Sequence, residues 1–125
     1  MTTAPAAAGP GDPLQQWRVY ADCWALEGAT LAAELARLVS AEVVYRDPMS
    51  EVDGLEAFGA YMRGFAVAYP GHRFEIDTVD LHHGRSLACW RQVDAAGELV
   101  LRGTSFAVHD DAGLLADITG YFPAP

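Results

Sequence analysis

Apolar side chains recur at helical spacing in three segments of the first half of the chain. Residues 14–27 place them mostly three or four positions apart, with Asp12 as a candidate N-cap and Pro13 in the first turn. Residues 30–39 form a second, shorter segment of this kind, and residues 55–68 form a third. The pattern therefore predicts three helices.

Alternating apolar and polar residues dominate the second half. Four long strands are predicted between turns rich in Gly, Ala and Asp, over residues 73–82, 85–94, 98–108 and 113–122. A shorter strand, residues 42–46, follows the second helix, and the segment after it, up to Gly54, is expected to be a loop.

Helices followed by a meander of strands indicate an α+β fold in which the helices cover one face of a sheet. Strands of this length must curl. We therefore expect a cone-shaped, strongly curved, mostly antiparallel sheet wrapped around three N-terminal helices, with an open mouth suited to a ligand.

The length of 125 residues and the hydrophobic content of 51% suit one domain with one core. Residues 14–125 are assigned to this domain. Residues 1–13 are mainly Ala, Pro, Gly and Thr, which predicts a disordered lead-in.

The charge of the chain excludes two classes of partner. The formal net charge is −9 and only 8 residues are Lys or Arg, so nucleic acid and anionic membrane surfaces would be repelled. No apolar run is long enough to span a membrane, and no secretory signal pattern is present, so a cytoplasmic protein is expected. Cys23 and Cys89 lie in apolar surroundings and are expected to be buried free thiols.

Asp47 is the candidate catalytic residue, because it ends the strand Val-Val-Tyr-Arg-Asp and precedes Pro48. A carboxylate in an apolar pocket loses hydration and accepts a proton more readily, whereas a solvated turn aspartate would have no such role.

The adjacent His82 and His83 point to opposite faces of a strand and cannot share a metal ion. Phosphate-binding, serine-hydrolase and redox motifs are absent from the sequence, so neither a metal nor a cofactor is expected.

Three stretches carry a family resemblance: residues 43–48, residues 69–76 and residues 111–122. In order and spacing they resemble the SnoaL-like polyketide cyclase and ketosteroid isomerase family of the nuclear transport factor two superfold. The resemblance covers about residues 14–122. It implies an apolar pocket, general acid–base chemistry on a polycyclic, terpenoid or polyketide substrate, and a homodimer formed through the convex sheet face.

The resemblance also implies roles for individual residues. Asp47 matches the proton-transferring base, Tyr20 is the nearest match to the oxyanion-binding tyrosine, and Thr104 stands where the isomerases carry a second, carboxylic oxyanion donor. The expected substrate-binding residues are Trp17, Trp24, Phe58, Met62, Phe65, Trp90, Gln92, Arg102, Thr104, Phe106, Ile118 and Phe122.

The expected function is a cofactor-free general acid–base enzyme acting on an apolar polyketide- or terpenoid-like intermediate. It would be a cyclase, including one that closes oxygen heterocycles, or a double-bond isomerase. One alternative is a non-catalytic binding or dimerising module of the same fold. Another is an epoxide hydrolase or epoxide-opening cyclase that uses Asp47 with Arg102.

Overall fold

The structure, a computed structural model, describes residues 12–123. Most of the predicted disordered lead-in, residues 1–13, lies outside the described residues. Asp12 and Pro13 belong to the start of the first helix instead: Asp12 Oδ1 accepts a hydrogen bond from the Leu14 amide at 3.1 Å, and Pro13 is the first helical residue. The cap that the sequence predicted is confirmed.

Three α-helices precede the antiparallel meander: α1 covers Pro13–Asp22, α2 covers Gly28–Leu38 and α3 covers Leu55–Ala68. The first is shorter than predicted. A single 3₁₀ turn, Cys23–Ala25, follows it, and Leu26 is already extended. This turn places Trp24 among the buried aromatic side chains beneath α3.

The helices pack on one six-stranded sheet. Its strands are β1 (Val39–Asp47), β2 (Ser50–Asp53), β3 (Arg73–His82), β4 (Arg85–Val93), β5 (Leu99–His109) and β6 (Leu115–Tyr121), in the spatial order β2-β1-β6-β5-β4-β3. Among the strand pairs within residues 12–123, only β1 and β6 are parallel. The predicted meander of four antiparallel strands is confirmed, and register shifts in β3–β4 and β4–β5 help to curl it into the cone-like α+β fold.

The expectation of a loop after Asp47 was wrong, because β2 pairs with β1 in a hairpin that turns at Pro48 and Met49. Its sequence Ser-Glu-Val-Asp has only one apolar side chain, so β2 lacks the composition of a strand and is held by pairing with β1. The hairpin fixes Asp47 opposite Ser50, beside the turn.

A chain of buried and partly buried hydrogen bonds links α1 to the sheet. Trp17 Nε1 donates to Ser86 Oγ at 2.9 Å, and Ser86 Oγ lies 2.8 Å from His109 Nε2. His109 Nδ1 lies 3.0 Å from the Gly113 carbonyl oxygen, which can only accept. His109 therefore donates from Nδ1 and accepts from Ser86 at Nε2. This chain ties α1 to β4 and to the β5–β6 turn.

The two cysteines occupy different environments, and both are free thiols. Cys23 is fully buried, and burial raises the pKa of its thiol to about 12. Cys89 is half-buried on the outer face of β4, since its neighbours Ala88 and Trp90 point inward. The expectation that both thiols are buried was wrong for Cys89.

Within residues 12–123, no helix is long and apolar enough to cross a membrane.

Candidate active site

The carboxylate of Asp47 is held by three donors. The Tyr45 hydroxyl donates to Oδ2 at 2.7 Å, and the Tyr61 hydroxyl lies 2.9 Å from Oδ2 and 3.1 Å from Oδ1. The Met49 amide donates to Oδ1 at 2.8 Å. All three groups suit an ionised carboxylate, which only accepts hydrogen bonds, and together they fix its orientation.

Three tyrosines surround this carboxylate, and all of them remain neutral phenols. Burial is the main cause that raises the pKa of Tyr20 and Tyr45 far above the ordinary value, and the nearby charge of Asp47 adds to it. The pKa of Tyr61 is raised too, by burial and then by its hydrogen bond to Asp47. Because they stay protonated, these phenols act as hydrogen-bond donors.

Asp47 lies in the wall of a cavity of about 620 Å³. This volume falls within the range typical of small-molecule sites. The wall is mainly aromatic, and Trp24 is central to it: its ring centroid lies 5.6 Å from that of Phe65, 5.7 Å from that of Phe74 and 5.7 Å from that of Tyr45. Such a wall suits a flat, apolar ligand.

A second polar position in the wall is Gln92, on β4. Its side chain is only 6% exposed, and its Nε2 lies 2.9 Å from Nδ1 of His72. An amide nitrogen only donates, so His72 accepts at Nδ1. The cavity therefore combines apolar walls with a few placed polar groups.

Many of the residues expected from the sequence do meet at this cavity. Those in its wall are Asp47, Tyr20, Trp17, Trp24, Phe65, Trp90, Gln92 and Phe122. Their roles in binding or catalysis stay predictions, since only their positions are established.

Three expected binding residues belong to the core instead of the cavity wall. Phe58, Met62 and Ile118 are 0% exposed and lie within the main apolar cluster. Phe58 stacks on Tyr45 with ring centroids 4.5 Å apart. Helical spacing identified the inner face of α3 correctly, but it does not distinguish side chains that fill the core from side chains that border a cavity.

Arg102, Thr104 and Phe106 lie on the outer face of the sheet, so their placement in the pocket was wrong. Residues directly opposite one another in a sheet share a face. Gly103 lies opposite the inward-pointing Trp90, whereas Thr104 lies opposite Cys89. The inward set on β5 is therefore shifted by one residue from the expected one and includes Ser105, which is in the cavity wall.

Sequence reasoning missed several residues of the site. Tyr45 lies two positions before Asp47 on β1, so alternation alone could have placed both on one face. Tyr61 reaches Asp47 from α3, and Ser105 joins the cavity wall from β5, and both placements depend on the tertiary fold. No pattern within a single segment of the sequence indicates that Tyr61 or Ser105 belongs to the site.

Gly103 makes room for Trp90. A Cβ atom at position 103 would lie 2.3 Å from Trp90 Cζ2, which is closer than atoms can approach. The indole therefore lies against the β5 backbone, and its Nε1 donates to Ser105 Oγ at 3.0 Å. This contact fixes one wall of the cavity.

We expect the substitution Gly103→Ala to displace this indole and lower the free energy of unfolding by about 1–3 kcal/mol, the usual cost of overpacking. Urea denaturation measures the loss, and the tryptophan emission spectrum of the folded protein reports the displaced ring. Gly59→Ala is the matched control, because its new methyl group meets no atom closer than 3.6 Å. Equal stability of the two variants would contradict this packing.

Comparisons with known proteins agree with this fold. The SnoaL-like domain profile matches residues 17–118. No curated protein matches the chain. A proposed isomerase of the SnoaL-like family from Agrobacterium tumefaciens has a similar structure, with a TM-score of 0.82 at 21% identity, over 89% of this chain and 97% of that chain.

Two further solved structures are similar at lower scores. A proposed polyketide cyclase from Sinorhizobium meliloti gives a TM-score of 0.68 at 15% identity, over 84% of this chain and 92% of that chain. A proposed ketosteroid isomerase from Kribbella flavida gives 0.63 at 22% identity, over 90% of this chain and 78% of that chain. At these identities the likeness establishes the fold alone.

Proposed function

The chain belongs to the SnoaL-like family, and we propose that it is a cofactor-free general acid–base enzyme whose base is Asp47. The observation that carries the proposal is the placement of this carboxylate. It is oriented by Tyr45, Tyr61 and the Met49 amide, in the wall of a cavity large enough for a small apolar molecule. A fixed base beside an apolar binding space is what proton abstraction from a carbon acid requires.

The proposed step begins with a ketone in the cavity. Asp47 takes a proton from the carbon next to the carbonyl, and the electron pair of the broken C–H bond moves onto the carbonyl oxygen, giving an enolate. Tyr20, kept neutral by burial, is a hydrogen-bond donor within the same cavity. Returning the proton to a more distant carbon of a conjugated enolate moves the double bond, and no other reactant is consumed.

Ring closure uses the same groups. The enolate carbon attacks a second carbonyl of the same molecule, a carbon–carbon bond forms, and the protonated Asp47 gives its proton to the new alkoxide. An oxygen heterocycle would arise if Asp47 instead removed a hydroxyl proton and the oxygen added to the β carbon of a conjugated enone in the same molecule. The π electrons of the C=C bond would move into an enolate, and the protonated Asp47 would return its proton to the α carbon. The aromatic walls support a polyketide- or terpenoid-like substrate, and similar proteins include proposed cyclases and isomerases.

A non-catalytic binding module is the second candidate, and one observation favours it. Tyr45, Tyr61 and the Met49 amide already satisfy both oxygens of Asp47, as they would for a purely structural carboxylate. Epoxide opening has less support, since Arg102, its expected partner, lies on the outer face of the sheet. A cytoplasmic location stays a prediction from the sequence.

Hydrogen–deuterium exchange of a simple ketone tests the proposed chemistry without knowledge of the natural substrate. The probe is 2-tetralone, a two-ring ketone with acidic α protons. In D₂O that contains a metal chelator, the intact protein is expected to catalyse this exchange. The exchange should be faster than in buffer alone or with acetate at an equal concentration. Binding of the ketone, followed by tryptophan fluorescence, without faster exchange would favour the binding module.

We also propose a homodimer formed through the outer sheet face. Leu87, Phe106 and Tyr121 are 42%, 38% and 60% exposed, and Leu87 and Phe106 are direct cross-strand neighbours. Exposed apolar side chains grouped on one face are typical of interfaces. Sedimentation at micromolar concentration is expected to give a dimer that Phe106→Asp separates into monomers. A monomeric parent protein would contradict this proposal.

A further inference from the structure

The hydrogen bonds to Asp47 occupy every acceptor position of its carboxylate. An ionised carboxylate has about four lone-pair sites on its two oxygens. The Met49 amide and the Tyr61 hydroxyl lie 2.8 Å and 3.1 Å from Oδ1. The Tyr45 and Tyr61 hydroxyls lie 2.7 Å and 2.9 Å from Oδ2. A substrate proton therefore reaches Asp47 only if one of these three donors moves aside or takes part in the transfer.

Tyr61 is the donor that is able to take part. The Met49 amide belongs to the backbone of the hairpin turn, and Tyr45 is 5% exposed and stacked on Phe58 at 4.5 Å. Tyr61 is half-buried in the cavity wall. Its single hydroxyl proton is shared between the two oxygens of Asp47, so this proton can pass to either of them.

The oxygen of the Tyr61 hydroxyl is open to a ligand. It accepts no hydrogen bond from any group within residues 12–123, although a phenol oxygen both donates and accepts. Gly64 belongs to the same cavity wall, and residues three apart are neighbours on a helix surface. Apart from the backbone of its own helix, a Cβ atom at Gly64 would meet no atom of the described residues within 4 Å. The wall beside Tyr61 therefore has room for a substrate group.

We propose that Tyr61 is a catalytic residue that relays a proton from a hydroxyl group of the substrate to Asp47. This assignment rests on the proposed function of Asp47 and names the substrate class, an apolar enone with a hydroxyl group that can reach its own β carbon. A hydroxyl group hydrogen-bonds to the Tyr61 oxygen before it reacts, and a proton donor within hydrogen-bond reach is what the transfer requires. A C–H bond forms only a weak contact of this kind, so the relay favours oxygen acids.

The proposed step moves two protons and consumes no other reactant. The substrate hydroxyl proton passes to the Tyr61 oxygen as the Tyr61 proton passes to Asp47 Oδ2, 2.9 Å away. The electron pair of the broken O–H bond forms the C–O bond to the β carbon, and the π electrons of the C=C bond move into an enolate. The Tyr61 proton then passes to the α carbon as the proton on Asp47 returns to Tyr61. The product is an isomer of the substrate.

The environment of Tyr61 suits a relay better than a base of its own. Burial raises the pKa of its phenol, and the hydrogen bond to Asp47 raises it further. Tyr61 therefore keeps a proton at neutral pH and passes one on only as it receives another.

The substitution Tyr61→Phe tests the relay, with 2′-hydroxychalcone as the hydroxylated enone. This two-ring compound closes to flavanone by the reaction above, and the loss of its absorbance follows the rate. The variant keeps the aromatic ring, so the fold is expected to persist. Cyclisation at saturating 2′-hydroxychalcone is expected to fall at least about 10²-fold, the lower end of the contribution of a proton-transfer group. Exchange of 2-tetralone, a carbon acid, is expected to stay within a few-fold of the parent rate, because Asp47 then has a free acceptor position.

Tyr45→Phe is the matched control. It also removes a phenol donor from Asp47 Oδ2, but the Tyr45 ring is fixed against Phe58, so both reactions are expected to change by the same factor. An equal fall of both reactions in Tyr61→Phe would mean that Tyr61 only orients Asp47, and would overturn the relay. Unchanged cyclisation in Tyr61→Phe would overturn it too, as would a parent protein that exchanges 2-tetralone but does not cyclise 2′-hydroxychalcone.

Comparison with Asp47→Asn separates failure of the relay from failure of the proposed function. If Asp47→Asn slows both reactions while Tyr61→Phe slows neither, the relay is wrong and the base stands. If Asp47→Asn keeps both rates, the proposed base is wrong, and the relay that ends on Asp47 is overturned with it.

Discussion

Replacing Phe58 by Ala is expected to lower the free energy of unfolding by about 3–5 kcal/mol, the cost of removing a fully buried aromatic side chain. Phe58 is 0% exposed, stacks on Tyr45 at 4.5 Å and meets Trp24 edge-on at 5.9 Å between ring centroids. Its loss leaves a hole between α3, the 3₁₀ turn and β1. Urea denaturation monitored by circular dichroism measures the change.

The same experiment decides whether Phe58 belongs to the core or to the cavity wall. Val67→Ala, at an 81% exposed position of the same helix, is the control and is expected to change stability by less than about 0.5 kcal/mol. A loss below about 1 kcal/mol for Phe58→Ala would contradict the core assignment, because a side chain that borders an existing cavity leaves less new space.

The main elements of the fold could be predicted from pattern alone, because burial imposes the helical and strand periods on long segments. The leucines of α2 and the alternation along β3 to β6 are of this kind. Two departures have physical causes. The strand β2 is too polar to be recognised and depends on pairing with β1, and α1 gives way to a 3₁₀ turn before Leu26 becomes extended.

The site was harder to predict because it depends on which face of β5 points inward. Phe106 is the more apolar candidate, yet the inner face carries Gly103 and Ser105, small residues that leave room for Trp90. The register between β4 and β5 also shifts near Gln92 and Val93. Alternation within one strand does not reveal a shift in register between strands. It also does not reveal how much space a side chain on the neighbouring strand, such as Trp90, requires.

Asp47 is the residue on which the sequence and the geometry agree, although each alone leaves its role open. The sequence places it at the end of a strand, where it could simply form a turn, and its bond from the Met49 amide is a bond of that kind. An aspartate that only forms a turn needs neither hydrogen bonds from two tyrosine hydroxyls nor an aromatic cavity beside it, and Asp47 has both. Its proposed chemistry is therefore open to a direct test.

The substitution Asp47→Asn is expected to reduce the exchange of 2-tetralone by about 10²–10⁴-fold, the usual contribution of a general base. An amide has the shape of the carboxylate and can still accept from Tyr45 or Tyr61 through its oxygen, but it takes up no proton at neutral pH. The fold is expected to persist, and the affinity for naphthalene is expected to stay within a few-fold of the parent value because the aromatic wall is unchanged. Exchange followed by NMR, together with fluorescence titration, separates chemistry from binding.

Asp117→Asn is the matched control. Asp117 lies on the neighbouring strand β6, and its carboxylate pairs with Arg46 at 2.9 Å with 45% of its side chain exposed. Loss of such an exposed pair changes stability little, and exchange should be unaffected.

The ratio of the exchange rates of the parent protein and Asp47→Asn, measured at saturating 2-tetralone, tests the central claim most directly. We predict a ratio of about 10²–10⁴, with Asp117→Asn equal to the parent protein. A ratio near one would contradict the assignment of Asp47 as the base.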